Sequence, residues 1–313
     1  MRITRHLVLT VSLIALAACS QTSQDDTGVT ATADTPVAAD APPVPAATNA
    51  TAKRWLADVE AIAAPSDNAG RRRVIEQRLE SLGLAPEALA FESEHGPGEN
   101  LLAPVSGAAD APLLLLGAHS DRVDEGQGAT DNASGSAVVL ALAERFKRAP
   151  LANHRVSVAF WDQEERGLLG AHAYVANVDP APLQYVNFDV FGWGDTLWMM
   201  TPEENHPLVA ASQAAAASAG LRLSAGEQYP PTDHRAFLKA GLPAVSYSLV
   251  GEDEIAAILS AYAGEKAATQ PKLMGVIHSE QDTLAQVDPD AAASGIDAIE
   301  AALRQWDAET IVD

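Results

Sequence analysis

The chain has 313 residues, and its hydrophobic fraction of 47% is ordinary for a protein with a packed core. Acidic residues outnumber basic residues by 42 to 20, which gives a formal net charge of -22. A surface of this charge repels nucleic acid and anionic lipid, so the composition excludes nucleic-acid binding as a function.

The first 18 residues have the pattern of an export signal. Arg2 and Arg5 give a positive start, and the apolar run over 7–18 is too short to span a membrane. The run closes on Leu-Ala-Ala directly before Cys19, which resembles the lipobox of bacterial lipoproteins. The resemblance implies that residues 1–18 are removed and that Cys19 carries a lipid. An ordinary secretory signal with a chance cysteine nearby is the alternative.

Residues 19–50 contain almost no large apolar side chain. Such a segment cannot bury enough surface to fold, so we predict a disordered tether that leads to a single domain over 51–313. The lipid is then the only predicted membrane contact, and Ser20 favours sorting to the outer membrane, with the domain facing the periplasm. Cys19 is the only cysteine, so disulfides, thiolate metal sites and cysteine nucleophiles are excluded from the domain.

From residue 51 onward, helical and strand patterns alternate. The predicted helices are 53–63, 68–82, 136–147, 168–176, 207–219 and 291–306. The predicted strands are 89–94, 100–105, 113–116, 155–161, 185–190, 196–200 and 244–249. Strands separated by helices of this length indicate βαβ units. We therefore predict an α/β fold with a mainly parallel twisted sheet and helices on both faces.

Polar side chains collect where these predicted strands end. The residues at three strand ends are His119, Asp121, Glu164, Glu165 and Asp189. Asp131 lies in a loop just ahead of a predicted helix, and His278 follows a short apolar run near the C-terminus. Because ligands of such sheets bind outside the carboxyl ends of the strands, we expect these side chains to lie close together.

This set of oxygen and nitrogen donors is of the kind that Zn²⁺ accepts without a sulfur ligand. Of the adjacent Glu164 and Glu165, one can bind metal while the other takes a proton from a metal-bound water. Asp121 lies two residues beyond His119, so it can accept the second ring N–H of that histidine. A glutamate pair or an Asp-Asn helix cap alone is more often structural, so the metal site is predicted from their joint occurrence.

The combined motifs resemble the two-zinc aminopeptidase family of the bacterial leucine aminopeptidases, whose relatives include glutamate carboxypeptidase-like enzymes and glutaminyl cyclases. In chain order the matching runs are A-H-S-D, T-D-N-A-S-G-S-A, F-W-D-Q-E-E-R-G-L-L-G-A-H-A-Y, N-F-D, T-D-H and H-S-x-x-D-T. The resemblance implies the zinc-exopeptidase (phosphorylase/hydrolase-like) fold, two co-catalytic Zn²⁺ ions and peptide substrates.

The resemblance also implies a role for each residue. Asp131 would bridge the two metals, and Glu164 would be the general base of metal-assisted hydrolysis. One metal would be completed by Glu165 and His278, and the other by His119 and Asp189.

Three further features follow from the same resemblance. The peptide bond between Asp131 and Asn132 is expected to be cis, and Asp233 and His234 are expected in the substrate cleft. Family aminopeptidases often present a tyrosine to the oxyanion, for which Tyr229 and Tyr247 are weak candidates here. The family often has Asp where this chain has Thr130, but only the following Asp131 aligns with the bridge.

The predicted function is therefore a zinc-dependent exopeptidase, an aminopeptidase in the first place. A glutaminyl cyclase on the same fold is one alternative, but the chain keeps D-N-A-S-G intact and runs E-E-R-G-L-L-G without insertion, which favours a peptidase. A non-catalytic binding module is a second alternative, disfavoured because all five ligands and the base are present. The motifs leave open a dipeptidase or carboxypeptidase, the preferred terminal residue, the physiological metal and the oligomeric state.

Overall fold

A computed structural model describes residues 43–265 and 270–310 of the chain. The predicted signal peptide, the predicted lipidation site Cys19 and residues 19–42 of the predicted tether lie outside the described residues. None of the helices within the described ranges has the length and apolarity that a membrane span requires.

The strands that the structure describes form one sheet. They are β1 (Glu87–Ser93), β2 (Gly96–Ser106), β3 (Leu113–His119), β4 (Arg155–Trp161), β5 (Gln184–Phe188), β6 (Thr196–Met200), β7 (Arg222–Gly226) and β8 (Ala244–Val250). Their order across the sheet is β1-β2-β4-β3-β5-β8-β6-β7. The pairs β4–β3, β3–β5, β5–β8 and β6–β7 are parallel, whereas β1–β2, β2–β4 and β8–β6 are antiparallel. The predicted α/β class with a mainly parallel sheet is confirmed.

Helices cover both faces of this sheet. They are α1 (Ala50–Ala63), α2 (Asn68–Ser81), α3 (Ser134–Arg148), α4 (Leu169–Val175), α5 (Pro207–Ser218), α6 (His234–Lys239), α7 (Glu252–Tyr262) and α8 (Pro289–Glu309). Alternate side chains of β3 enter two separate cores. Leu114 and Leu116 pack in the larger core with α1, α3, α5 and α8, while Leu115 faces the smaller core with Trp161 and Phe237. This is why a continuous run of leucines forms one strand buried on both faces.

The register of the parallel strands brings their carboxyl ends level. His119 at the end of β3 lies opposite Trp161 at the end of β4. On the other side, Gly117 of β3 pairs with Asn187 of β5. Residues that follow β3, β4 and β5 therefore emerge side by side at one edge of the sheet, which is where the predicted ligands lie.

Three elements were not predicted from the sequence: β7, α6 and α7. The strand β7 has five residues, none of them buried, and α6 has six residues, fewer than two helical turns, so neither gives a repeating apolar pattern. The helix α7 does carry a signal, because Glu252, Asp253 and Glu254 fill its first turn, where the helix dipole favours negative charge. At the start of the described part, α1 begins at Ala50 because the Asn49 side chain accepts a hydrogen bond from Ala52 N at 2.9 Å.

Candidate metal centre

The predicted metal ligands form two groups of three side chains that share one member. In the first group, His119 Nε2 lies 3.1 Å from Asp131 Oδ1 and 3.4 Å from Asp189 Oδ1. In the second, His278 Nε2 lies 3.1 Å from both Asp131 Oδ2 and Glu165 Oε2. The two oxygens of Asp131 thus point to different groups.

The turn Ala129–Ala133 ahead of α3 carries Asp131, and the peptide bond between Asp131 and Asn132 is cis, as the resemblance implied.

The donor atoms fit zinc. They are imidazole nitrogens and carboxylate oxygens, which zinc accepts, and they lie close enough within each group to share one ion. Glu165 Oε1 and Asp189 Oδ1 are buried and make no hydrogen bond to any residue that the structure describes. Asp189 Oδ1 has only the 3.4 Å approach of His119 Nε2. A buried carboxylate oxygen without a hydrogen bond is costly, and a bound cation would satisfy it.

Charges within the cluster interact strongly. Hydrogen bonds to Asp131 and Glu165 raise the pKa of His278 to about 11. Burial alone would raise the pKa of Asp131, but the hydrogen bonds from His119 and His278 outweigh it and hold that pKa below its usual range. The ligand set attracts protons as well as cations, so metal binding must compete with protonation of the two histidines.

Glu164 stands beside the ligands with a different environment. Burial, followed by the negative charges of Asp233 and Asp189, raises its pKa well above the ordinary value for glutamate, against the opposing effect of His119. A carboxyl group with a raised pKa can accept a proton and hold it near neutral pH, which is the property that a general base of hydrolysis needs.

Asp121 fixes the backbone of the glutamate pair. Its two carboxylate oxygens accept hydrogen bonds from Glu164 N at 3.0 Å and Glu165 N at 3.2 Å. The predicted contact with the His119 ring is looser: Nδ1 lies 3.2 Å from the backbone oxygen of Asp121 and 3.5 Å from its carboxylate. The main contacts of Asp121 are therefore with the two backbone N–H groups, and this arrangement was not predicted.

An apolar cavity of ≈ 90 Å³ opens beside the cluster. Its walls include Trp198, Tyr229, Tyr262, Met274 and Ile277, and it reaches the four carboxylates and both histidines of the cluster. Among the described residues that line it, none is Lys or Arg.

The residues expected near the substrate are not all on this wall. Asp233 and His234 are buried, 0% and 4% exposed, and do not line the cavity. Tyr229 lines it, but its hydroxyl is hydrogen-bonded to Ser248. The hydroxyl of Tyr247 pairs with Ser212 at 2.7 Å, and Tyr247 is not among the lining residues.

With this geometry in place, the comparison with protein families is decisive. The sequence profile of peptidase family M28 matches residues 100–303, more than half of the chain. The chain belongs to peptidase family M28. The matched region contains every predicted ligand and Glu164.

Curated relatives of this M28 chain include aminopeptidases. Leucine aminopeptidase 2 of Trichophyton rubrum is 40% identical over 97 residues, which are 30% of this chain and 19% of the fungal protein. The probable lipoprotein aminopeptidase LpqL of Mycobacterium tuberculosis is 36% identical over 106 residues, which are 33% of this chain and 21% of that protein. The matched stretch spans about a fifth of the length of these relatives.

Solved structures share the fold. The aminopeptidase from Aneurinibacillus sp. strain AM-1 has a TM-score of 0.65 at 15% identity, over 81% of this chain and 93% of that one. Porphyromonas gingivalis glutaminyl cyclase has a TM-score of 0.63 at 18% identity, over 83% and 98%. BSAP, a zinc aminopeptidase from Bacillus subtilis, has a TM-score of 0.56 at 21% identity, over 68% and 51%. The predicted zinc-exopeptidase fold is confirmed.

One supporting residue of the M28 site lay inside a quoted motif without a predicted role. Asp282 is the aspartate of H-S-x-x-D-T, and it is 1% exposed. Its carboxylate accepts hydrogen bonds from Thr130 N at 2.6 Å and Asp131 N at 3.0 Å. Asp282 therefore ties the loop that carries the shared ligand to the segment that carries His278. Its place four residues after a predicted ligand was the available signal.

Proposed function

We propose that the chain is a zinc-dependent aminopeptidase that releases N-terminal residues from peptides. The observation that carries this proposal is the lining of the cavity beside the metal cluster. Four carboxylates meet apolar walls there, and no Lys or Arg is present among the described lining residues. A protonated α-amine with an apolar first side chain suits such a site, whereas a substrate α-carboxylate needs a cationic partner. This favours an aminopeptidase over a carboxypeptidase.

We assign two zinc ions to the two groups of ligands. In this assignment Asp131 would be shared by both ions, His119 and Asp189 would complete one ligand group, and Glu165 and His278 would complete the other. In support, the two oxygens of Asp131 lie at 3.1 Å from different histidines. When bound, a zinc pair polarises the scissile carbonyl and lowers the pKa of the attacking water.

Glu164 is assigned as general base. It takes the proton of the attacking water and passes it to the leaving amine. Its raised pKa suits both steps, because the same carboxyl must accept a proton and then release it. The hydrogen bond from Glu164 N to Asp121 keeps the base in place.

We assign the cavity beside the cluster, whose walls include tryptophan, tyrosine and methionine side chains, to the first side chain of the substrate. Its apolar walls favour Leu, Met or Phe over Asp, Glu or Lys at the N-terminus, because a charged side chain would lose its hydration there.

The test is hydrolysis of aminoacyl-nitroanilides by the purified protein, with added zinc, with chelator, and with Glu164→Gln. Zinc-dependent release, highest for apolar residues and lower by about 10²–10⁴-fold in the variant, supports the proposal. Glu164→Gln should keep its zinc, which separates loss of the base from loss of the metal.

A glutaminyl cyclase is the second candidate, favoured by the solved cyclase that matches over 98% of its own chain. Peptides with N-terminal Gln are therefore included in the same panel. Cyclisation of these peptides without nitroanilide hydrolysis would replace the aminopeptidase by a cyclase. Release of C-terminal residues only would replace it by a carboxypeptidase.

We further propose that the enzyme is exported and anchored by a lipid on Cys19, with residues 1–18 removed, a tether from residue 19 that ends where α1 begins at Ala50, and the catalytic domain from there to residue 313. In support, the chain resembles a probable lipoprotein aminopeptidase of Mycobacterium tuberculosis. Incorporation of labelled fatty acid into the wild type but not into Cys19→Ala tests the anchor, and fractionation of a Gram-negative host tests the outer membrane.

A further inference from the structure

A buried arginine lies behind the metal cluster. Arg71 of α2 is 0% exposed, and burial lowers the pKa of its guanidinium to about 10, so it stays charged at neutral pH. Nε donates to Ser120 O at 2.8 Å, Nη1 to Gln127 O at 2.9 Å and Nη2 to Gly128 O at 3.2 Å. Among the ion pairs of the described residues, none involves Arg71. Its charge is satisfied by backbone oxygens.

The three acceptors belong to the segments that carry two predicted ligands. Ser120 directly follows His119, and Gly128 directly precedes the turn that carries Asp131. The guanidinium is planar, with donors in a fixed fork, so its three bonds set the distance between these segments.

The same loop also contacts the third ligand segment. Gln127 N donates to Asp282 O at 2.8 Å. A Cβ added at Gly126 would lie 2.2 Å from Ser279 O, so the loop is packed tightly against the residue that follows His278. The guanidinium of Arg71 therefore holds a loop that contacts the segments carrying His119, Asp131 and His278.

We infer that Arg71 is a positioning residue for zinc: by fixing the loops on either side of the cluster, it sets the spacing of His119 and Asp131 and so the affinity for the metals. The inference rests on the proposed zinc centre. Two effects of the guanidinium oppose each other. Its positive charge repels zinc, whereas its hydrogen bonds hold the ligands in the geometry that zinc needs. We expect the geometric effect to be larger, because supporting hydrogen bonds behind metal ligands commonly change affinity by about 10–100-fold.

The test is zinc affinity and stoichiometry, measured by competition with a chromogenic chelator, for the wild type, Arg71→Met and Arg71→Lys. Arg71→Met should bind zinc about 10–100-fold more weakly. Arg71→Lys keeps the charge but cannot reach three carbonyls with one ammonium, so we expect an affinity between the two.

The matched control is Arg78→Met on the same helix. Arg78 pairs with Asp58 at 2.9 Å and Glu144 at 3.0 Å, away from the metal cluster. This variant should lose thermal stability and keep the zinc affinity of the wild type. A merely structural role of Arg71 would give the same pattern for both arginines.

Each outcome separates the inference from the proposed function. If the wild type binds no zinc, the proposed function fails. If the wild type binds zinc and Arg71→Met binds it equally or more tightly, the inference is overturned and the charge is the larger effect. Should Arg71→Met not fold, Arg71→Lys decides: an affinity at least about threefold weaker supports the inference, and an unchanged affinity overturns it.

Discussion

Two clusters of histidine and carboxylate, one buried and one that includes the exposed His278, lie at opposite ends of β4. At its start, His154 Nδ1 lies 2.7 Å from Asp307 Oδ1 of α8, and the ring stacks on Trp306 with centroids 4.4 Å apart. Asp307 also accepts hydrogen bonds from Ala152 N at 2.8 Å and Asn153 N at 3.1 Å. Both oxygens of this single carboxylate have partners.

The cluster after the end of β4 has the opposite balance. The carboxylates of Asp131, Glu165 and Asp189 meet only His119 and His278, and buried oxygens of Glu165 and Asp189 make no hydrogen bond to the described residues. The comparison shows that a buried His–Asp pair does not by itself indicate function. An excess of buried negative charge does, because only added cations or protons can satisfy it.

The largest expected effect separates the two clusters by activity. Asp131→Asn removes the proposed bridge, so we expect zinc content to fall and kcat/KM to drop by at least about 10³-fold, since a metal supplies several kcal/mol to the transition state. Asp307→Asn in the same nitroanilide assay should stay within about twofold of the wild type, because it touches no proposed ligand. An Asp131→Asn enzyme with two zinc ions and full activity would contradict the proposed ligand set.

The next effect separates them by stability. Asp307→Asn should lower the free energy of unfolding by about 3 kcal/mol, because it breaks a buried pair and turns an acceptor into a donor facing backbone N–H groups. Denaturant unfolding of the wild type and the variant measures this. The loss should be equal with zinc and with chelator, since the His154 cluster does not depend on metal. A loss of unfolding free energy that appears only with zinc would mean that the His154 cluster depends on the metal, contrary to this prediction.

The sequence predicted one of these clusters and missed the other for a physical reason. The ligands follow strand ends, and the rule that parallel strands present their carboxyl ends at one edge brings them together without any coordinates. His154 also stands next to a predicted strand, but its partner Asp307 is 153 residues away on a helix, with no motif to connect them. In the structure His154 is 1% exposed.

The support of the metal cluster was predicted only in part. Asp282 belonged to a quoted motif, but its bonds to Thr130 N and Asp131 N depend on how two distant loops pack. Arg71 lies on the buried stripe of α2 with Ile75 and Leu79, at helical spacing. An arginine on an apolar stripe was the available signal for a buried charge. Its three acceptors are a matter of tertiary contact, which pattern alone cannot give.

A third buried histidine, His234, offers a test of this comparison, because it makes no ion pair with a carboxylate of the described residues. His234 is 4% exposed, and burial, with a smaller effect of Arg235, lowers its pKa to about 3. The unfolded chain then binds a proton between about pH 6.5 and 3 that the folded chain does not, so stability falls as the pH is lowered through this range. We expect a loss of about 2 kcal/mol from pH 7 to pH 5.

His234→Gln is the matched variant for this pH dependence. Unfolding free energies of both proteins with chelator at pH 7, 6 and 5 isolate the contribution of the histidine, since the other titrating groups are shared. The difference should grow as the pH is lowered. Parallel curves would mean that His234 takes up its proton as readily in the folded protein as in the unfolded chain, which would contradict its lowered pKa.

The smallest expected effect has the opposite sign to that of Asp307→Asn. Asp233 is 0% exposed, neither of its oxygens makes a hydrogen bond to the described residues, and burial raises its pKa well above the usual value. The folded chain therefore binds a proton above pH 3.8 that the unfolded chain has lost, and the wild type loses stability as the pH rises. Asp233→Asn removes this penalty and should stabilise the protein with chelator at pH 7 by about 1 kcal/mol or more, but not at pH 4. An Asp-to-Asn change would then stabilise the protein at position 233 and destabilise it at position 307. A destabilised Asp233→Asn at pH 7 would instead contradict the raised pKa of Asp233.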